Sequence, residues 1–432
     1  MQTAAPDSIT QEERRILLVL AATQFVNIVD FMIVMPLGND FARELAIRTS
    51  HLGWIGGSYT AAAAVAGLAS AFFIDRFERK RALTVAMFGL LSGTLACAFA
   101  KDFGTLLMAR IVAGAFGGPA SAIAIAIISD VIPPSRRGRA MGIVMMAFSL
   151  ASIVGVPLGL ECATHFGWRS PFYAVAGLGF LIICAAAYYL PQIRSTRDDK
   201  ASALLEVRGL FRGEVLRSLL ITVFAMMSAF ILIPNITPFV LNNLHFPRER
   251  LGLLYAGGGV MSFLTIRAVG GLVDKLGSSK IAFAASALNA VVILAGFIFV
   301  PPTYAIPLIF VGFMMSMSFR NVAYSALTTK VPYPHERGAF QSIQSAVQHA
   351  SSAVGAFASS VILSEGEGMK LVGMDKIAMA SIAMGVSVPF LMVVLERALL
   401  VRERATAPSS LPLAALPPVP VEGTSPVEVP RA

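Results

Sequence analysis

The sequence predicts an all-α integral membrane protein with twelve transmembrane helices in two six-helix parallel repeats. Three observations carry this. First, the 432 residues are 56% hydrophobic and only 14% charged, where soluble domains carry about 25% charged residues; mean hydropathy is +0.73. Second, there is room for about a dozen apolar runs of roughly 20 residues, the length that crosses a hydrocarbon core as a helix. Third, a polar stretch occurs twice. VIPPSRRGRAMG starts at Val131 and VPYPHERGAFQS at Val331, so Pro134 meets Pro334 and Arg137-Gly138 meets Arg337-Gly338. The register holds into the next helices, where Ser152 meets Ser352 and Gly155 meets Gly355. IDRFERKR around Asp75 and VDKLGSSK around Asp274 echo each other at nearly the same offset. Apolar segments match by chance; a polar loop with one Pro, Arg and Gly spacing signals an internal repeat.

In chain order, residues 1–14 read as a polar cytoplasmic tail, and no cleavable leader is expected, because the run after Arg14 and Arg15 is long enough to span. The N-terminal bundle, 15–190, holds helices expected at 15–37, 52–74, 82–100, 104–130, 139–162 and 170–190. Residues 191–216 read as a charged cytoplasmic linker containing Arg194, Arg197, Asp198, Asp199, Lys200, Arg208 and Arg212. The C-terminal bundle, 217–400, holds helices expected at 217–241, 251–273, 280–300, 304–330, 338–363 and 376–399. Residues 401–432 read as a disordered Pro-rich tail. Cys97, Cys162 and Cys184 lie in or beside apolar runs without metal-ligand spacing, so no disulfide framework or metal site is expected.

An even number of crossings puts both termini on one side, and Lys and Arg mark which side. Of 34 such residues, Arg43, Arg48, Lys101, Arg169, Arg248, Arg250, Lys370 and Lys376 fall in the opposite loops, and Arg110, Arg267 and Arg320 inside spans. The other 23 share the side of the termini, which is therefore read as cytoplasmic. The net charge of +9 thus reports orientation in the bilayer and not a nucleic-acid partner.

The motifs resemble those of the major facilitator superfamily, and the resemblance covers about residues 15–400. The stretch AFFIDRFERKR is similar to that family's G-x-x-x-D-R-x-G-R-R/K loop, with Ala71 and Glu78 at the glycine positions; the second-half copy keeps Gly270 and Gly277 around Asp274. Arg110-Ile-Val-Ala-Gly114 is close to R-x-x-Q-G, with Ala113 for Gln. Asp30 to Pro36, and Gly155-Val-Pro-Leu-Gly159 followed by Gly167 to Phe172, look like the drug and sugar efflux branch. The resemblance implies an alternating-access transporter of small molecules, coupled to protons, in the bacterial inner membrane and working as a monomer. It also implies a cytoplasmic gate. Asp75, with Arg76 and Arg79 beside it, can accept from the free N–H groups of another helix start near Gly338, where the dipole favours a carboxylate. Asp274, Arg137 and Arg337 are the companion gate residues. A solvated loop that only sets topology is the plainer reading of the same charges. Arg137-Gly138 and its copy are expected to end the loop and let chain pack tightly at a helix start. Gly114, Gly155, Pro157 and Gly159 are expected to serve helix packing and bending.

Charges inside spans are costly and face a partner or water. Asp30 lies seven residues before Leu37 and Arg110 six inside the start of the fourth helix, so both sit about 10 Å below the outer edge at 1.5 Å per residue. They can pair, and Asp30 is the only acid deep in the membrane. That makes Asp30 and Arg110 the candidate proton-coupling site. Arg267, seven residues from Asp274, is placed to snorkel. Two placements are open for Arg320: facing the cavity toward an anionic substrate group, or pairing with Asp30 across the halves. Gln24 and Asn27 lie within about 120° of Asp30 around the first helix. With Asn235, Asn321, Tyr324, Gln344, Gln348 and His349 they are read as lining a wet substrate cavity. Interhelical glue is the alternative for each.

No nucleotide-binding loop of the G-x-x-x-x-G-K-[S/T] kind is present, which leaves an ion gradient as the simple energy source. One deep acid and one histidine at that depth do not make a membrane enzyme, and no cofactor is expected. Facilitated diffusion, uptake, and a non-transporting sensor stay as alternatives to efflux. Orientation is testable directly. A reporter active only in the cytoplasm should work when fused after Arg404 or within 195–212 and stay silent within 40–50; the reverse pattern would overturn the assignment.

Overall fold

The computed structural model describes residues 9–73, 77–133, 136–192, 212–299, 301–333 and 336–406. Twelve long helices follow one another: α1 (Gln11–Ile33), α2 (Leu52–Phe73), α3 (Arg79–Ala98), α4 (Phe103–Val131), α5 (Arg137–Phe166), α6 (Ser170–Tyr189), α7 (Gly213–Asn243), α8 (Leu251–Leu276), α9 (Ser278–Ile298), α10 (Ile306–Thr328), α11 (Arg337–Ile362) and α12 (Met374–Thr406). Eleven of these are long and apolar enough to cross a membrane. The twelfth, α11, is diluted by Gln341, Gln344, Gln348, His349 and several serines. It packs along α2 of the first half and α7 of the second. A two-stranded ribbon, β1 (Ser364–Glu365) with β2 (Leu371–Val372), follows α11.

Local chemistry sets the helix ends. Thr10 and Glu13 cap α1 reciprocally, the Thr10 hydroxyl accepting from the Glu13 N–H at 3.2 Å and the Glu13 carboxylate from the Thr10 N–H at 2.8 Å. The helix therefore starts at Gln11, before the expected residue 15. It ends at Ile33 rather than 37, because Pro36 cannot donate to a continuing helix. A short helix, Gly38–Glu44, follows. α5 carries a π turn at Ala151–Gly155, just before Pro157, and α7 is interrupted before Ile233–Pro238, where Pro234 and Pro238 fall. The expected linker and C-terminal tail lie mostly outside the described residues.

The two halves share one packing scheme. In the first, α2 packs on α4, α3 on α4 and α6, and α1 on α5 and α6; in the second, α8 packs on α10, α9 on α10 and α12, and α7 on α11 and α12. Each pairing recurs six helices later. Between the halves, α2 packs on α11 and α5 on α8. Close approach explains two glycines there. A Cβ on Gly53 would lie 2.2 Å from the Ala356 carbonyl oxygen, and one on Gly259 2.9 Å from the backbone of Ser152.

The apolar core is divided unequally. At the end away from the termini, one cluster contains Ile33, Leu37, Phe41 and Leu52 from the first half together with Leu232, Ile236, Phe239 and Leu251 from the second. Toward the termini, the core splits. One cluster around Leu20, Leu90 and Ile127 belongs to the first half alone, and another around Ile221, Leu327 and Met392 to the second alone. The halves are joined at the end away from the termini and keep separate cores at the other.

Within the first half, Gly114 brings α4 against α2: a Cβ there would sit 2.2 Å from the Tyr59 carbonyl oxygen. Gly155 and Gly159 bring α5 against α1, at 2.4 Å from Val29 and 2.6 Å from Ile33. The expectation for Gly138 needs correcting: among the described residues a Cβ there meets nothing within 4 Å, so no tight packing with them at the helix start demands that glycine. Gly114→Val is expected to destabilise the folded protein by about 1–3 kcal/mol, read as earlier thermal unfolding in detergent, whereas Gly138→Ala should be neutral in the same assay.

Candidate functional site

The two deep charges expected to match in depth are in contact. Arg110 Nη1 lies 3.0 Å from Asp30 Oδ2, with the side chains 1% and 0% exposed. Their helices explain the meeting: α1 presents Asp30 inward, one turn beyond Asn27, and α4 presents Arg110 one turn before the close contact at Gly114. Thr94 of α3 donates its hydroxyl to Asp30 Oδ1 at 2.7 Å. Tyr59 of α2 lays its ring against the guanidinium, 4.5 Å from centroid to Arg110 Cζ. The pair is thus enclosed by four helices and fully removed from solvent.

A polar chain runs from this pair along α1 toward the termini. The Tyr59 hydroxyl donates to Asn27 Oδ1 at 2.7 Å. Asn27 Nδ2 donates to the Gly117 carbonyl at 2.9 Å and to Ser121 Oγ at 2.7 Å. Ser121 in turn donates to Gln24 Oε1 at 2.8 Å. Gln24 and Asn27 therefore commit polar atoms to bonds inside the first half.

The remaining cavity candidates do not meet at one point. Arg320 is 2% exposed and does not pair with Asp30. Its guanidinium donates to Ser228 Oγ at 3.2 Å and the Ala225 carbonyl at 3.4 Å, and touches Met317 Sδ at 3.3 Å. Across from it, a Cβ on Gly385 of α12 would lie 2.7 Å away. The second placement left open above is thereby corrected: Arg110 occupies Asp30, and Arg320 points between α7 and α12. Tyr324, one turn on, is buried in the second-half core, while Asn321 is exposed. Gln344 donates to Thr222 Oγ1 at 2.6 Å. Gln348 and His349 are half-buried on α11. Asn235 is fully buried at the break in α7, and its Oδ1 lacks a hydrogen-bond partner.

Of the gate candidates, Asp75 and Arg76 lie outside the described residues. Arg79 pairs with Asp130 at 2.9 Å, tying the start of α3 to the end of α4. Arg137 Nε donates to the Ile132 carbonyl at 2.9 Å. Asp274 and Arg337 are exposed, as is Arg267. Near the termini, the ion pairs between described residues stay within one half. Glu13 pairs with Arg136 at 3.0 Å, Arg402 with Glu214 at 2.6 Å, and Arg212 with Glu336.

The opposite end is different, and the sequence reading missed it. Asn39 and Asn242 exchange two amide hydrogen bonds, at 2.9 and 2.8 Å, across the halves. Asp40 pairs with Arg248 at 2.8 Å. Glu365 accepts from the Thr49 hydroxyl at 2.7 Å and from its backbone N–H. Trp54 of α2 stacks on Phe357 of α11, centroids 4.7 Å apart. Burial raises the Asp40 carboxyl above its usual value, against the pull of Arg248. Acidification therefore neutralises this latch residue earlier than an ordinary surface carboxylate. A signal was available in the sequence: Asn39 and Asn242 stand nearly one repeat length apart.

The chain thus forms a twelve-helix bundle of two matching halves, latched to each other at one end, with a buried ion pair inside the first half. In comparison with known proteins, residues 20–356 match the Major Facilitator Superfamily, and the chain belongs to that family of transporters, which are not enzymes. It is similar to the chloramphenicol efflux pump Rv0191 of Mycobacterium tuberculosis (strain ATCC 25618 / H37Rv), 24% identical over 60% of this chain and 62% of that one. It is also similar to a probable sugar efflux transporter of Pasteurella multocida (strain Pm70), 29% identical over 49% and 52%. With the MFS-type transporter YhcA of Bacillus subtilis (strain 168) it shares 28% identity over 45% of this chain and 37% of that one. The matched stretches thus span less than two thirds of these relatives' length. Among solved structures, a D-xylose–proton symporter shares the fold with TM-score 0.73 and 16% identity, over 88% of this chain and 97% of that one.

The latch at the end away from the termini can be trapped. With Asn39→Cys and Asn242→Cys together, oxidation by copper-phenanthroline should cross-link the halves in the resting protein, while the single variants should stay unlinked despite Cys97, Cys162 and Cys184. An unlinked double variant would show that this end is not closed at rest.

Proposed function

We propose that the protein is a secondary active transporter that exports a small organic molecule across the bacterial inner membrane by alternating access, driven by protons. In this reading both termini are cytoplasmic, the monomer is the working unit, and the resting state is closed at the outer end. The observation that carries the reading is the Asp30–Arg110 pair, 3.0 Å apart and out of solvent. A carboxylate's proton affinity depends on burial and on whether a cation stands beside it. A conformational change that parts Asp30 from Arg110 therefore switches proton binding, and that switch is what coupling requires. Among the described residues no other acid is buried in the middle of a span. The relatives named for chloramphenicol and sugar efflux support export of small organic compounds.

Reconstitution into proteoliposomes tests this, with chloramphenicol and a sugar panel as first probes. Asp30→Asn is expected to abolish pH-gradient-driven accumulation while leaving downhill exchange. Arg110→Ala leaves a buried carboxylate unpaired and is expected to cost about 3–5 kcal/mol of stability, seen as earlier thermal unfolding. Full pH-driven accumulation by Asp30→Asn would remove Asp30 as the coupling site.

A further inference from the structure

We propose that Tyr59 is a positioning residue that transmits closure between the two halves to the Asp30–Arg110 pair; this rests on the reading of that pair as the coupling site. Tyr59 is 4% exposed and is held on every side. Its ring lies against Arg110 at 4.5 Å, and its hydroxyl donates to Asn27. Its carbonyl is pressed by α4 at Gly114. A change in the position of α2 therefore cannot leave the guanidinium's surroundings unaltered.

Two features tie that same residue to the interface between the halves. First, the ring of Tyr59 stands 5.2 Å from that of Phe31, which stands 6.0 Å from Phe230 on α7 of the other half. Second, α2 itself forms the outer closure. Trp54 stacks on Phe357, Gly53 is pressed on Ala356, Ser359 and Ser360, and Gly57 on Phe357. Trp54 precedes Tyr59 by five residues, about 7.5 Å along the helix axis, with no break in between. Helices move as rigid units, and packed interfaces have discrete rather than graded arrangements. When α2 leaves α11, the Tyr59 ring shifts relative to Arg110, and the cation loses or regains a face that holds it on Asp30. Thr94, which also contacts Asp30, is on α3 and makes no such link across the halves.

The test uses the full chain in detergent and needs no substrate. Coupling between two sites is reciprocal, so neutralising Asp30 must change closure at the outer end. The rate of copper-phenanthroline cross-linking between Asn39→Cys and Asn242→Cys is measured with and without Asp30→Asn. It is expected to change by about fivefold or more. Tyr59→Leu should bring that ratio close to one, while Tyr59→Phe, which keeps the ring, should retain it. If Tyr59→Leu does not yield folded protein, Tyr59→Met replaces it, an unbranched flexible side chain that adapts to the space without an aromatic face. A full ratio in a folded Tyr59→Leu or Tyr59→Met variant overturns the role of Tyr59 alone. A ratio of one with Tyr59 intact removes Asp30 from the conformational switch and with it the reading beneath.

Discussion

Two opposite charges sealed inside an apolar bundle constrain everything around them. Taking a carboxylate and a guanidinium out of water costs several kcal/mol for each ion, repaid only when geometry is good and further hydrogen bonds are made. Asp30 and Arg110 are in direct contact at 3.0 Å, with a hydroxyl from Thr94 and the face of Tyr59 beside them, while Arg110 Nε has no hydrogen-bond partner among the described residues. Four helices must hold their places for this to persist. The glycine that lets α4 approach α2 is part of the same arrangement, since a side chain at Gly114 would displace the backbone that carries Tyr59.

The second half meets the burial of a cation differently. Arg320 is as deeply buried as Arg110 but contacts a hydroxyl, a carbonyl and a thioether instead of a carboxylate. The repeat therefore preserves the packing scheme while its chemistry diverges. Charge placement near the termini diverges as well. The first half sets Arg136 against Glu13 of its first helix, whereas the second sets Glu336 against Arg212. Fold and repeat are carried by apolar contact and loop geometry, and the polar residues vary on that frame.

The fold was largely legible in the sequence, because bilayer thickness fixes helix length and the repeated VIPPSRRG and VPYPHERG loops fix the register of the halves. The Asp30–Arg110 contact was legible too, since helical rise converts residue number into depth and only one deep acid was available. What one-dimensional depth does not give is rotation about a helix axis. A pairing of Arg320 with Asp30 across the halves stayed open in the sequence, but Arg320 turns toward α7 and α12. The latch at the end away from the termini left only a faint trace, the near-repeat spacing of Asn39 and Asn242. Asn39, Asn242 and Thr49 are ordinary loop and helix-end residues, and only the juxtaposition of the halves makes them partners. Tyr59 was missed because a single tyrosine in a Gly- and Ala-rich helix carries no pattern of its own.

The proposed alternating access requires that the latched end and the buried pair be parts of one device. The most direct measurement is of protons released when a transported compound is added to purified protein in weakly buffered detergent. The account predicts release from the native protein, lost in Asp30→Asn while the compound still binds. Equal release from Asp30→Asn would contradict the claim that the buried pair is where the proton is exchanged for cargo.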